Sequence, residues 1–128
     1  PNDTEESIWA LMCEAKLLGF EKARHQMLKV GRDSRPVMRA AYALFGGEDD
    51  NKFKEELENL AVDGSNSDKF YASLYLGLFF EARGFQKAAK IALAGAVSCS
   101  YARTSGDYMV DVARIHVELR GWGPVGEL

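Results

Sequence analysis

The sequence predicts an all-α fold, and three observations support that prediction. Apolar residues recur at intervals of three and four, which is the spacing of a helix face, while the alternation typical of strands is nearly absent. The interruptions fall at Gly, Pro, Asp, Ser and Thr, which start and stop helices. The length of 128 residues and the hydrophobic content of 47% suit a single domain that covers residues 1–128.

Start and stop signals divide the chain into seven predicted helices with short connections. Capping boxes begin two of them, at Asp3 with Glu6 and at Ser65 with Asp68. Pro36 suits the first turn of a helix, and glycines follow several last turns. In chain order, the predicted helices run from Asp3 or Thr4 to before Gly19, from Phe20 to Val30, from Pro36 to Phe45, from after Asp49-Asp50 to near Asp63-Gly64, from Ser65 to before Gly84, from Phe85 to Cys99, and from Thr104 to before Gly121.

An internal repeat relates two of the predicted connections. Gly19-Phe20-Glu21-Lys22-Ala23 matches Gly84-Phe85-Gln86-Lys87-Ala88 at an offset of 65 residues, about twice the roughly 34-residue period of helix-turn-helix repeats. One more helix pair fits between the two copies. The sequence therefore predicts antiparallel hairpins at about 3–31, 35–63 and 66–99, followed by a capping helix at 105–120. The apolar face predicted for that last helix consists of Met109, Val112, Ile115, His116 and Leu119.

The third predicted hairpin carries a pattern of small and large residues at fixed offsets. Leu76-Gly77-Leu78-Phe79-Phe80 is followed by Gly84 at the turn, and Leu93 lies between two alanines, Ala89 and Ala96. This pattern resembles a tetratricopeptide (TPR) repeat, although Ser73 and Tyr101 replace the usual Trp and Pro. The resemblance implies a right-handed superhelix of about three hairpins, in which the small residues let the paired helices approach closely.

The resemblance also implies a binding groove, because the first helix of each TPR hairpin lines a concave surface that holds a peptide or helix. By register, the groove positions are Glu6, Trp9, Cys13 and Lys16 in the first hairpin, and Tyr71, Leu74, Leu78 and Glu81 in the third. The Trp, Cys, Tyr and Leu side chains among them imply an apolar or helical ligand. The alternative is that Trp9 and Tyr71 are buried against neighbouring helices.

Charge is unevenly distributed along the chain, although the formal net charge is only −3. Between Lys16 and Arg39, seven basic residues stand against two acidic ones, and between Glu48 and Asp68 eight acidic residues stand against two basic ones. The predicted basic flank consists of Lys22, Arg24, Lys29, Arg32, Arg35 and Arg39. Such an asymmetry indicates either two solvated faces or a surface that steers a charged partner.

Catalytic and metal-binding patterns are missing from the sequence. No P-loop, GxSxG, HExxH or GxGxxG motif is present, and His25 and His116 lack metal-ligand spacing to a cysteine or carboxylate. We expect His116 to be a satisfied core histidine, and Cys13 and Cys99 to be reduced core thiols. The sequence therefore predicts a protein without catalytic activity and without a cofactor.

These observations favour a protein–protein interaction or assembly module that binds a protein or peptide segment. One alternative is an RNA-binding repeat, because the segment from Gly19 to Pro36 also resembles a pentatricopeptide (PPR) repeat; the acidic composition disfavours it. Another is a homo-oligomer that buries the fifth helix and the tail Trp122-Gly-Pro124-Val125. No apolar run is long enough to insert in a membrane. We expect an intracellular, soluble protein, and the missing starting Met makes import into a plastid or mitochondrion an alternative.

Overall fold

Helices form all the regular structure of residues 3–122, which are the residues that the computed structural model describes. The all-α prediction is therefore confirmed. In chain order the helices are α1 (Thr4–Leu18), α2 (Phe20–His25), α3 (Pro36–Gly46), α4 (Asp50–Asp63), α5 (Asn66–Ala82), α6 (Gln86–Ser98), α7 (Ser100–Thr104) and α8 (Tyr108–Leu119). The chain divides into two compact units, Pro1–Leu57 (unit 1) and Glu58–Leu128 (unit 2), with the boundary inside α4.

Local capping chemistry places several helix ends as predicted. The Asp3 carboxylate accepts the Glu6 backbone N–H at 3.0 Å, so α1 begins where the capping box indicates. At α5, the Ser65 hydroxyl accepts the Asp68 N–H at 3.1 Å, and the Asp68 carboxylate accepts the Ser65 N–H at 3.2 Å. These side chains satisfy backbone donors that a helix N-terminus otherwise leaves unpaired.

The start of the last helix differs from the prediction. The chain forms the short helix α7 around Tyr101, and Gly106 then adopts a φ of 73° before α8 begins. The cap of α8 is Asp107 rather than Thr104, because the Asp107 carboxylate accepts the Met109 N–H at 2.9 Å. In the predicted tail, Trp122 is half-buried, and Gly-Pro124-Val125 lies outside the described residues.

The internal repeat is visible in the backbone of its two glycines. Gly19 has a φ of 88° between α1 and α2, and Gly84 has a φ of 86° between α5 and α6. A side chain makes this left-handed conformation costly, so glycine is the residue suited to both turns. The repeated motif therefore places a glycine with positive φ at a helix–helix connection in each unit, although the connection is one residue long in unit 1 and three residues long in unit 2.

The α5–α6 hairpin of unit 2 packs through the small residues that the sequence singled out. Ala89 and Ala96 are fully buried on α6. A Cβ atom on Gly77 would lie only 2.5 Å from Cγ of Leu93, so the missing side chain is what allows Leu93 to occupy its place. The prediction that these residues permit a close helix approach is confirmed.

Aromatic residues of α5 and α7 share one carboxylate in unit 2. The phenols of Tyr71 and Tyr101 both donate to Oδ2 of Asp107, Tyr101 at 2.7 Å. Burial raises the pKa of the Tyr101 phenol above its usual value, and the bond to the Asp107 carboxylate raises it further. Asp107 therefore caps α8 and ties it to the aromatic side chains of α5 and α7.

Helix α8 is also linked to α5 by an ionic cluster. Glu81 lies 2.6 Å from Nε2 of His116 through one carboxylate oxygen, and its other oxygen accepts a hydrogen bond from Arg120. His116 is buried and satisfied by Glu81, as the sequence predicted. The predicted apolar face of α8 is wrong in part, because Ile115 and Leu119 are exposed while Val117 is buried.

We expect acid to weaken unit 2 through Glu81. Burial raises the pKa of Glu81, but the hydrogen bonds from His116 and Arg120 outweigh it and leave the pKa below its ordinary value of 4.5. A carboxyl group with a lowered folded pKa stabilises the fold above its unfolded pKa, and this contribution is lost as the pH falls through the folded pKa. Glu81→Gln should therefore flatten the fall in the free energy of unfolding below pH 4.5.

The control for this prediction is Glu118→Gln, which removes an exposed carboxyl group from α8. Urea unfolding followed by circular dichroism between pH 3 and pH 7 gives the comparison. Equal acid dependence of Glu81→Gln and the unmodified chain would contradict the role assigned to Glu81.

Candidate functional site

Residues 26–35 cross unit 1 without regular structure, where the sequence predicts a helix as far as Val30. The Leu28 carbonyl accepts hydrogen bonds from the Ser7 hydroxyl of α1 at 2.7 Å and from the Tyr42 phenol of α3 at 3.1 Å. The Val30 N–H donates to the Tyr42 oxygen at 3.3 Å. These bonds hold the segment in a non-helical path; α2 ends at His25, and the predicted helix end at Val30 is wrong.

Two adjacent cavities open along this segment and share Tyr42, Ala43 and Glu48; we call them together the unit 1 groove. The first cavity has a volume of about 290 Å³, and the second about 230 Å³. The other lining residues of the first are Thr4, Val30, Gly31, Arg32, Asp33 and Arg39. Those of the second are Arg24, His25, Met27, Lys29 and Gly46.

Several charged side chains that line the groove form no ion pair among the described residues. Arg39 donates through Nη1 to the carbonyls of Asp33 and Ser34, both at 2.9 Å. Within the part of the chain that the structure describes, Arg39 forms no ion pair, and neither do Lys29, Arg32 and Glu48. Lys29 and Arg32 are exposed. The groove thus presents cations that a bound anionic group can neutralise, with one carboxylate between the two cavities.

Arg24 of the predicted basic flank serves the fold instead of an open cationic surface. Its side chain is only 9% exposed and pairs with Asp50 at 3.0 Å. The same guanidinium donates to the carbonyls of Leu44 and Phe45 at the end of α3, at 2.9 and 3.2 Å. It also lies over the Phe20 ring, 4.6 Å from the centroid. Including Arg24 in a free basic surface is therefore wrong.

Arg35 is also engaged within unit 1. Its guanidinium contacts both carboxylate oxygens of Asp33, at 3.0 and 2.9 Å, and lies 3.7 Å from Glu5. The hydrogen bonds from Arg35 hold the pKa of Asp33 below its usual range. Of the predicted flank, Lys22, Lys29, Arg32 and Arg35 are exposed, Arg35 while paired with Asp33, and Arg39 is half-buried in the groove.

The two halves of the predicted TPR groove differ in exposure. Trp9, Cys13 and Lys16 are spaced four and three apart on α1, so they share a face, on which Cys13 and Lys16 are exposed and Trp9 is half-buried. On α5, by contrast, Leu74 and Leu78 are fully buried and Tyr71 is 7% exposed. Placing these three residues in an open groove is wrong, because α5 packs against α6 and α7.

The burial of α5 and the exposure of Cys13 correct two further expectations. The apolar side chains from Phe70 to Phe79 fill the core of unit 2, so they are not free to pack against another copy of the chain. Cys13 is exposed and Cys99 half-buried, and neither forms a disulfide, so the expectation of two core thiols is wrong for Cys13.

The sequence did not assign Tyr42, Ala43 and Glu48, which line both cavities, to a binding site. A weaker signal was available in the run Asp33-Ser34 before Pro36. Its turn-forming residues indicate a loop between α2 and α3, and this loop borders the first cavity. Among residues 3–122, no group of three or more His, Cys, Asp or Glu side chains is placed to hold a metal ion. In the same range, no helix combines the length and the apolar character needed to cross a bilayer.

Comparison with known proteins gives no relative, since no family model, curated protein or solved structure matches the chain. The function is therefore inferred from the residues and contacts described above.

Proposed function

We propose that this protein is a non-enzymatic interaction module, and that the unit 1 groove binds an acidic segment of a partner protein. The observation that carries the proposal is the set of groove cations without a carboxylate partner among the described residues: Lys29, Arg32 and Arg39. Carboxylates suit such a site because guanidinium groups bind them through paired hydrogen bonds.

The shape and lining of the groove favour a peptide over a nucleic acid. Two small adjoining cavities suit successive side chains of an extended segment, and Met27, Val30 and Ala43 add apolar contacts. Glu48 lies where the cavities meet. A peptide can place a neutral or basic residue beside Glu48, whereas a nucleic acid carries a phosphate at every nucleotide and is repelled there.

We also propose that the hairpins α1–α2 and α5–α6 are TPR-like repeats. The support is the 65-residue offset of the matching motif and the left-handed glycine at the turn of each hairpin. In this arrangement Cys13 and Lys16 lie on an exposed face of α1.

Charge reversal in the groove should weaken binding of an acidic peptide. The probe is a fluorescein-labelled peptide of alternating Glu and Ala, titrated into the protein at low salt. We expect Lys29→Glu with Arg32→Glu to raise Kd at least tenfold, because both side chains line the groove and neither holds the fold together.

The matched control reverses two exposed lysines of α6, Lys87→Glu with Lys90→Glu, and so changes the net charge equally. It should leave Kd within about twofold, since these lysines lie outside the groove. Equal weakening by both double variants would show that net charge alone attracts the peptide, and would contradict a binding site in the groove.

A further inference from the structure

Helix α8 has a second apolar face that unit 2 does not cover. Tyr108, Ile115 and Leu119 are 71%, 56% and 75% exposed, and half-buried Val112 lies between them. Their spacing of four, three and four residues places all of them on one side of the helix. We call these four residues the α8 stripe.

The opposite side of α8 is already used by the fold. Met109, Ala113, His116 and Val117 are buried, and His116 contacts Glu81 of α5. A helix with a polar outer face packs against the rest of its domain through a single apolar face. On α8, apolar residues extend beyond the face that packs against the rest of unit 2. The α8 stripe therefore has the pattern of a helix–helix interface with one member missing from the described residues.

Charge at the edge of the stripe indicates which helix fits. Asp111 and Glu118 are seven residues apart and flank the stripe on its solvent side. Both are exposed, and neither forms an ion pair within residues 3–122. In paired helices, residues at such flanking positions form salt bridges across the interface, so two acids select a partner with basic residues.

A second copy of this chain does not satisfy that requirement. Two antiparallel α8 helices packed through their stripes would place Asp111 of one copy near Glu118 of the other, which is unfavourable. In a parallel pair, Asp111 and Glu118 of one copy would face the opposite edge of the stripe on the other copy. That edge carries His116, which is buried against α5 and is not open to a second copy.

We propose that the α8 stripe docks an amphipathic helix of another protein, whose apolar stripe is flanked by Lys or Arg. The docked helix covers Tyr108, Val112, Ile115 and Leu119. Its Lys or Arg side chains form ion pairs with Asp111 and Glu118. This surface belongs to unit 2 and shares no residue with the unit 1 groove, so either site can be removed by substitutions that leave the residues of the other unchanged.

The test uses two synthetic helical peptides of about 18 residues and the full chain. Both carry Leu with the spacing of the α8 stripe; one has Lys at the flanking positions and the other has Glu. Fluorescence anisotropy of labelled peptides should show at least tenfold tighter binding of the Lys peptide. The double variant Asp111→Lys with Glu118→Lys should bind the Glu peptide more tightly than the Lys peptide. Attraction to apolar surface alone does not predict this reversal.

A pair of variants locates the binding site. Ile115→Glu should abolish binding of the Lys peptide, whereas Ile91→Glu, at an exposed isoleucine of α6 in the same unit, should leave it unchanged. Both positions are exposed, and circular dichroism checks that the variants fold.

Three results would overturn the proposal. One is the absence of binding of the Lys peptide at millimolar concentration. Another is binding that survives Ile115→Glu. The third is a dimer in sedimentation of the unmodified chain that Ile115→Glu converts to monomers, because a second copy would then be the occupant of the stripe.

Discussion

Replacing Gly77 with alanine is expected to lower the free energy of unfolding by about 2 kcal/mol. The new methyl group would lie 2.5 Å from Cγ of Leu93, 2.8 Å from its Cδ2 and 3.2 Å from its backbone N. Contacts this short force α5 and α6 apart or push Leu93 out of its rotamer. The direction of this change in stability is informative, because replacing glycine with alanine inside a helix normally raises stability by about 1 kcal/mol.

Gly95→Ala supplies the control within the same hairpin. Gly95 lies inside α6, and a Cβ atom there meets nothing within 4 Å. Gly95→Ala should therefore raise the free energy of unfolding by about 0.5–1 kcal/mol. Chemical denaturation of both variants provides the measurement, and a stabilising effect of Gly77→Ala equal to that of Gly95→Ala would contradict the packing described for α5 and α6.

Removal of the Arg24 guanidinium should lower the free energy of unfolding by as much as Gly77→Ala does, or by more, and this loss arises in unit 1. Arg24→Met is expected to lower the free energy of unfolding by about 3 kcal/mol, because it leaves Asp50 without its cation and the Leu44 and Phe45 carbonyls without their donor. Arg24→Lys should recover less than half of the loss, since a single ammonium group cannot make these bonds together.

Lys22→Met is the matched substitution for Arg24→Met. Lys22 lies on the same helix and is exposed, so its replacement should change the free energy of unfolding by less than about 0.5 kcal/mol. Thermal and urea unfolding of the three variants tests the prediction. If Arg24→Met and Lys22→Met lose equal stability, Arg24 does not hold α3 in place.

Features determined by neighbouring residues were predictable from the sequence. The caps at Asp3 and Ser65 and the glycine turn at Gly84 depend on a few adjacent residues, and the structure has them as predicted. The close approach at Gly77 was predictable because a small residue on one helix and a large one on the next imply interlocking packing.

Features that depend on distant partners were not predictable in the same way. The segment after His25 has helical periodicity, but Ser7 and Tyr42 bind its backbone and hold it in a non-helical path. Likewise, a count of basic residues does not reveal that Arg24 is paired with Asp50 and closes the end of α3.

Helices with apolar residues on most of their surface are a separate difficulty. On α5, periodicity could not show which side faces solvent, and the positions that the TPR resemblance assigned to a groove are buried. On α8, the predicted apolar face combined buried His116 with exposed Ile115. Only packing distinguishes the covered side of such a helix from the exposed one.

The proposed function is tested most directly by affinity capture from a lysate of the source organism, performed with and without ribonuclease. Three tagged proteins are compared: the unmodified chain, Lys29→Glu with Arg32→Glu, and Lys87→Glu with Lys90→Glu. We predict that the unmodified chain and the α6 control retain the same proteins, and that the groove variant loses those with acidic segments. Loss of all bound proteins on ribonuclease treatment, or identical capture by all three, would contradict a protein-binding groove in unit 1.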